Sequence, residues 1–311
     1  MIEAGTAAAK SRGLGGISSL LRSRKVAPYI FVSPFVVSFL LFLAYPIVSA
    51  IVMSFQEVLP GQTKFLGLAN YANLFQDSHF YNALRNSARY TVFTLLILIP
   101  VPLVLAVFIH SKLLKMKTFF KSALFIPALT SVVVAGAVFR LMFGELPTAP
   151  MNTFLAALGF EPMRWTTGYH SAMFLMVLLA SWRWMGINIL YFLSGLQSIP
   201  KDLYESAAID GASPFQRFVY VTVPMLKPVT VYVLTISIFG GFSMFTESYV
   251  FWGANSPADV GLTIVGYLYQ QSFVNFRMGF GAAIGIVLLL IILIMNLIQL
   301  KLSGQFKKGD A

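Results

Sequence analysis

The 311-residue sequence predicts an all-α integral membrane protein with six transmembrane helices and both termini in the cytoplasm. Three observations carry that prediction. First, 58% of the residues are hydrophobic, 11% are charged and the mean hydropathy is +0.78. Soluble domains sit near about 45–50% apolar and 25% charged, so a water-soluble enzyme or nucleic-acid binder is excluded and lipid is the expected solvent. Second, six stretches are long and apolar enough to cross a hydrocarbon core, which takes roughly 20 residues. Third, Lys and Arg alternate in density from one hydrophilic segment to the next.

The spans are expected at about residues 27–54, 88–110, 119–143, 170–197, 226–250 and 278–301. Ala27 to Ser54 carries no charge, and neither does Tyr90 to Ile109. Ser122 to Phe139 ends at Arg140; Ser171 to Pro200 holds a single charge, Arg183. Pro228 to Thr246 is closed by Glu247, and Met278 to Leu300 completes the set. Val260 to Phe276 is also uncharged, but Gly261, Gly266, Gln270, Gln271 and Asn275 make it polar. It reads as a surface or re-entrant segment outside the membrane, not a seventh span. The domain plan is a cytoplasmic segment 1–26, a six-helix domain 27–302 with a cytoplasmic loop 198–225, and a tail 303–311.

Charge sets the direction. The N-terminal segment, the second and fourth loops and the tail together hold fifteen Lys and Arg, against five in the other loops. The positive-inside rule places the richer side, and both termini, in the cytoplasm of a bacterial plasma membrane. Arg85 and Arg89 dissent, and can snorkel from the outer end of span two. Val48-Ser49-Ala50 after an apolar run suggests a cleaved secretory signal, but the run is too long and contains Pro28, Pro34 and Pro46. Zero cysteines exclude disulfides and thiolate chemistry. His79, His110 and His170 fall in no ligand spacing, so no metal site is expected.

The fourth loop carries the clearest local signal. Pro200 opens a short helix through Tyr204 and Ile209, Asp210-Gly211 supplies a turn with positive φ, and Pro214-Phe215 start a second helix. Such an elbow serves either as a tight connection or as a protrusion for another protein. Its residues resemble the cytoplasmic signature of the binding-protein-dependent ABC importer permeases. Glu205-Ser206-Ala207, three residues, Gly211, nine residues and Val221-Thr222-Val223-Pro224 match every spacing of that signature. Ser206, Val221 and Val223 depart from its consensus, conservatively in size. Gly195-Leu196-Gln197-Ser198-Ile199-Pro200, Asp210-Gly211-Ala212 and Gly67-Leu68-Ala69-Asn70-Tyr71 with Leu74-Phe75 are similar to the sugar branch.

The resemblance, over about residues 28 to 302, implies a type I ABC importer permease fold. It also implies a heterodimer with a second homologous permease, two ATPase subunits, an extracellular solute-binding protein and a carbohydrate substrate. The coupling contact would fall on Glu205, Ser206, Ala207, Asp210, Gly211, Pro214 and Phe215. No nucleic acid and no catalytic residue is expected, and ATP with Mg belongs to the ATPases. The chain has no Gly-x-x-x-x-Gly-Lys-Ser/Thr phosphate cradle, and Leu302-Ser303-Gly304-Gln305 resembles part of an ATPase signature only by chance.

Arg140, Arg183 and Glu247 are ionisable groups at bilayer depth, where charge is costly and points to function or to pairing. Trp182 and Trp184 flank Arg183 and can stack on it; Arg183 can equally pair with Glu247 or a partner helix. Ser237, Gly240, Gly241, Phe242, Ser243 and Glu247 on span five, with Asn188 and Tyr191 on span four, are the candidate substrate path. They combine aromatic faces and hydroxyls, as sugars require. The small residues would also serve close helix packing. Family resemblance favours the path. The expected function is therefore an oligosaccharide permease, with plant pentose oligomers as the expected cargo and glycerol phosphate or another polar solute as the alternative. A membrane enzyme would need convergent catalytic groups, and an ion-driven transporter or channel would show inverted repeats with acidic ligands; the sequence has neither.

Overall fold

The computed structural model describes residues 25–59, 61–111 and 114–305. The basic residues at 10, 12, 22 and 24, and Lys112, Lys307 and Lys308, lie outside the described residues. The chain divides into two compact units between Val52 and Met53. The described part of the first unit is almost entirely helix α1 (Ala27–Ser54), which runs two residues past the division and is apolar throughout. It contains a π-helical turn at Leu40–Ala44, just before Pro46, whose missing N–H interrupts the regular ladder.

The second unit opens with an antiparallel hairpin, β1 (Gln56–Leu59) and β2 (Gln62–Phe65), pairing Gln56 with Phe65 and Leu59 with Gln62. A short helix α2 (Ala69–Leu74) follows. Its Asn70 amide donates to the carbonyls of Ser54 and Gln56, both at 2.9 Å, which pins the root of the hairpin. Nothing in the hydropathy pattern signals this hairpin.

Span two consists of α3 (Ser78–Leu98) and α4 (Pro100–His110). It starts ten residues before the expected position 88. Asp77 caps it by accepting from the His79 N–H at 2.9 Å. Its polar first turns are also held, since Asn86 donates to the carbonyls of Asp259 (2.7 Å) and Leu262 (3.1 Å). Hydropathy marks where lipid begins, whereas the helix continues as long as its polar face has partners.

Span three, expected to be continuous over 119–143, is broken. Helices α5 (Lys117–Leu129) and α6 (Val132–Met142) meet at 94°. Pro127 removes a rung from the last turns of α5, and Thr130 is extended (ψ 135°). The outer loop then forms α7 (Pro150–Ala157). Its fully buried Asn152 binds the carbonyls of Gly144, Leu146 and Met163, the N–H of Met163 and the indole of Trp165.

Span four is α8 (Tyr169–Gln197), and the elbow is α9 (Lys201–Ile209) with α10 (Pro214–Arg217). Span five is α11 (Lys227–Phe242) and α12 (Thr246–Trp252); span six is α14 (Met278–Leu302). Between them, Val260 to Phe276 holds α13 (Ile264–Tyr269), too short to cross a bilayer. It packs between α3 and α14 with Ile264 and Tyr267 buried. Among the described residues, five helical runs are long and apolar enough to span a membrane, six if the bent α5–α6 pair is counted as one span.

Three apolar clusters organise the second unit. One surrounds the outer half of α8 with Tyr90, Trp165 and Met244; another joins α3, α11, α13 and α14 through Phe80, Phe242, Ile264 and Ile284. The third joins α4, the inner half of α8 and α11 through Ala106, Phe192 and Val233.

The topology is directly testable because the chain has no cysteine. A single cysteine at Ile209, which is 86% exposed at the end of α9, is expected to react only with cytoplasmic reagent. One at Gln62, at the hairpin end, is expected to react only from outside. Reversed labelling at either position would overturn the orientation.

Candidate functional site

A cavity of about 600 Å³ opens among α3, α8, α11 and α12. That volume falls within the range of ligand sites, roughly 300–1,000 Å³. Asn188, Tyr191, Ser237, Gly240, Gly241, Ser243 and Glu247 all contribute to its wall. Phe242, expected with them, does not. It is 4% exposed and belongs to the cluster with Phe80 and Ile284. Two residues of helix turn a side chain by about 200°, so Phe242 and Gly240 face opposite ways.

The adjacent glycines differ in kind. A Cβ at Gly241 would lie 2.5 Å from Oγ1 and 2.9 Å from Cβ of Thr91, so this glycine lets α11 and α3 approach closely. A Cβ at Gly240 would meet nothing within 4 Å. One glycine serves helix packing, and the other leaves room in the cavity.

The two charges in the wall, half-buried Arg183 and buried Glu247, form a pair. Arg183 Nη1 donates to Glu247 Oε1 at 3.1 Å, linking the middle of α8 to the first turn of α12. The guanidinium also lies 5.9 Å from the Trp184 ring centre, while its Nε has no hydrogen-bond partner. Glu247 sits where the α12 N-terminus favours negative charge. Arg140 takes no part in the cavity. It is exposed in the last turn of α6, where a cation meets the negative end of the helix dipole.

Asn188 has a second task. Pro102 has no N–H, so the carbonyl of Leu98 lacks its helical partner. The buried Asn188 amide donates to that oxygen at 2.8 Å. A similar device closes the break between α11 and α12, where Thr263 Oγ1 donates to the Met244 carbonyl at 2.9 Å.

Tyr232, not among the expected residues, also lines the cavity, with its ring centre 5.3 Å from that of Tyr191 and nearly perpendicular to it. It lies eight residues, just over two turns, before Gly240. Projecting α11 on a helical wheel would have placed both on one face.

The elbow is the second feature. Gly211 has φ +79°, Ala212 N–H bonds Ala207 O at 2.9 Å, and Gly211 N–H bonds Ala208 O at 3.1 Å. That is a Schellman ending, which needs a residue at ease with left-handed φ. Ser213 and Gln216 form a reciprocal capping box at the start of α10. Glu205, Ser206, Asp210 and Pro214 are exposed and Ala207 is half-buried. Ile209 and Phe215 are 86% and 74% exposed, an unusual display of apolar side chains beside a polar turn. Tyr204 Oη and Thr222 Oγ1, 3.0 Å apart, hold α9 to the segment leading into α11. Helix α11 then runs from Lys227 to Gly240, about 20 Å at 1.5 Å per residue, and joins elbow to cavity.

Residues 14–308 match the family described as binding-protein-dependent transport system inner membrane component. The chain is 61% identical to the arabinooligosaccharides transport system permease protein AraP of Bacillus subtilis, covering 94% of this chain and 93% of that one. It is 56% identical to the protein of the same name from Halalkalibacterium halodurans, over 94% and 92% of the two chains. In fold it resembles a chain of a bacterial ABC transporter involved in the import of the acidic polysaccharide alginate. That likeness has a TM-score of 0.82 at 22% identity, over 94% of this chain and 100% of the other.

Two outcomes follow from the geometry. Gly241→Leu is expected to lower the melting temperature by forcing α11 from α3, an overpacking cost of about 1–3 kcal/mol. Gly240→Leu fills open space and is expected to leave stability near wild type; equal destabilisation would refute the distinction. For the ion pair, Arg183→Gln and Glu247→Gln are each expected to destabilise, and the double variant to recover part of the loss. A double-mutant cycle on thermal unfolding should give a coupling of about 1.5–3 kcal/mol, typical of a charged hydrogen bond.

Proposed function

Since the chain belongs to the family of binding-protein-dependent transport system inner membrane components, we propose that it is the membrane-spanning permease of an ATP-driven importer of arabino-oligosaccharides. The observation that carries the reading is the cavity of about 600 Å³ joined by one helix to an exposed cytoplasmic elbow. Its wall supplies what a neutral sugar needs. Tyr191, Tyr232, Trp184 and Phe245 offer aromatic faces for C–H groups, and Ser237 and Ser243 offer hydroxyls. Its two charges neutralise each other. A glycerol phosphate would require surplus positive charge to offset its own, so the lining supports sugar over that alternative.

In this reading a second homologous permease completes the path, and two ATPases hold the elbows of the pair. An extracellular binding protein delivers cargo at the outer face of the plasma membrane. ATP binding draws the ATPases together, the elbows follow, and α11 transmits the movement to the cavity wall. Hydrolysis on the ATPases resets the path. This chain performs no bond chemistry: it shapes the path, and its exposed Ile209 and Phe215 fill a recess on the ATPase.

The test is uptake and ATP hydrolysis by the complete complex in proteoliposomes with its binding protein. Gly211→Val forces a β-branched residue into left-handed φ, at a cost of at least about 1–2 kcal/mol. Glu205→Lys reverses a charge beside the turn. Both variants are expected to insert in the membrane yet lose most oligosaccharide-stimulated hydrolysis. Wild-type stimulation in both would refute the role of the elbow; uptake of glycerol phosphate but no oligosaccharide would refute the cargo.

A further inference from the structure

Five consecutive residues, Ser243, Met244, Phe245, Thr246 and Glu247, all contribute to the cavity wall. A regular helix could not place them there. It turns successive side chains by about 100°, so five in a row would face every direction. The break between α11 and α12 makes the arrangement possible, and Phe245 leaves helical geometry there with φ −135° and ψ −53°. The break deprives the Met244 carbonyl of its helical partner, and fully buried Thr263 replaces it. The same hydroxyl accepts from the Gly266 N–H at 3.1 Å and so caps α13. One turn beyond Met244, buried Ser248 Oγ donates to the Gly261 carbonyl at 2.6 Å. Residues 261–263 therefore hold both sides of the break. That segment is anchored in turn on α3. Asn86 donates to the carbonyls of Asp259 and Leu262, and the Ile264 N–H donates to Ser87 Oγ at 3.0 Å.

We propose that Asn86 and Thr263 are positioning residues for the cavity. The segment they anchor fixes the break in span five, and the break presents Phe245 and Glu247 to the cavity. Thr263 favours the broken form. In an unbroken helix the Ser248 N–H would occupy the Met244 carbonyl, and the buried Thr263 hydroxyl would lose its acceptor. Asn86 acts one step further away. Its two donors hold the carbonyls on either side of residues 260 and 261, so the segment cannot slide along α3 without leaving them unpaired. Glu247 depends on this arrangement most directly, because its bond to Arg183 joins α12 to a different helix, α8. The effect on cargo rests on the sugar-importer reading above, whereas the effect on the Arg183–Glu247 pair is independent of it.

The experiment uses the complete complex and two readouts. One is the Arg183–Glu247 coupling, from a double-mutant cycle on thermal unfolding; the other is arabinotriose binding by equilibrium dialysis. Thr263→Val keeps the side-chain shape and removes the hydroxyl, and Asn86→Ala removes both amide donors. Each is expected to cut the coupling to roughly half or less and to weaken arabinotriose binding by roughly three- to tenfold. Thr263→Ser, which retains the hydroxyl, is expected to keep both readouts near wild type. Residues that merely stabilise the outer loop would lower the melting temperature and leave both readouts unchanged, and that result in either variant overturns the proposal. So does an equal loss in Thr263→Ser, which would trace the effect to side-chain volume. If Thr263→Val or Asn86→Ala does not assemble, Ser248→Ala decides. It removes one bond to the same segment and is expected to lower the coupling, and an unchanged coupling overturns the positioning role. Absence of arabinotriose binding by the wild-type complex refutes the cargo instead, and the coupling alone then decides the proposal.

Discussion

A backbone group inside a bilayer has no water to turn to, so a carbonyl freed where a helix departs from regularity needs another partner. Pro102 strips the Leu98 carbonyl of its rung, and Asn188 replaces it from another helix. Span five stops and restarts around Met244, and Thr263 takes up the carbonyl. These substitute bonds let helices bend without exposing polar backbone. The cavity occupies the space the bends create, between the interrupted spans two and five and the unbroken α8.

The same polar economy explains where charge is tolerated. Arg183 and Glu247 are each costly alone at this depth, and their pairing across α8 and α12 leaves a wall of no net charge. Arg140 lies apart from this pair, exposed in the last turn of α6. The pair also ties α12, the second half of broken span five, to α8.

Much of this was legible without coordinates. Composition and span count determined a helical membrane protein, because the bilayer imposes length rules that are local in sequence. The elbow was equally legible, since Pro200, Gly211, Ser213 and Pro214 act through their own backbone geometry. Ser237, Gly240, Gly241, Ser243 and Glu247 on span five, singled out by their mix and by the family resemblance, do line the cavity, but Tyr232, Phe239 and Phe245 were not among them.

Only the tertiary structure decided the rest. The helix of span two starts at Ser78, well before the apolar run, as hydropathy reports contact with lipid and not the polar contacts of Asn86 with the outer loop. Hydropathy joined the two halves of span three, because a bend at Thr130 leaves composition unchanged. The roles of Gly240 and Gly241 are identical in sequence and opposite in space, for Thr91 stands against one and nothing stands against the other. Phe242 carries the right chemistry for a sugar and faces the core. What the sequence determines by itself is which segments enter the membrane. Which side of each helix meets a neighbour, and which meets an open cavity, depends on contacts between residues far apart in the chain.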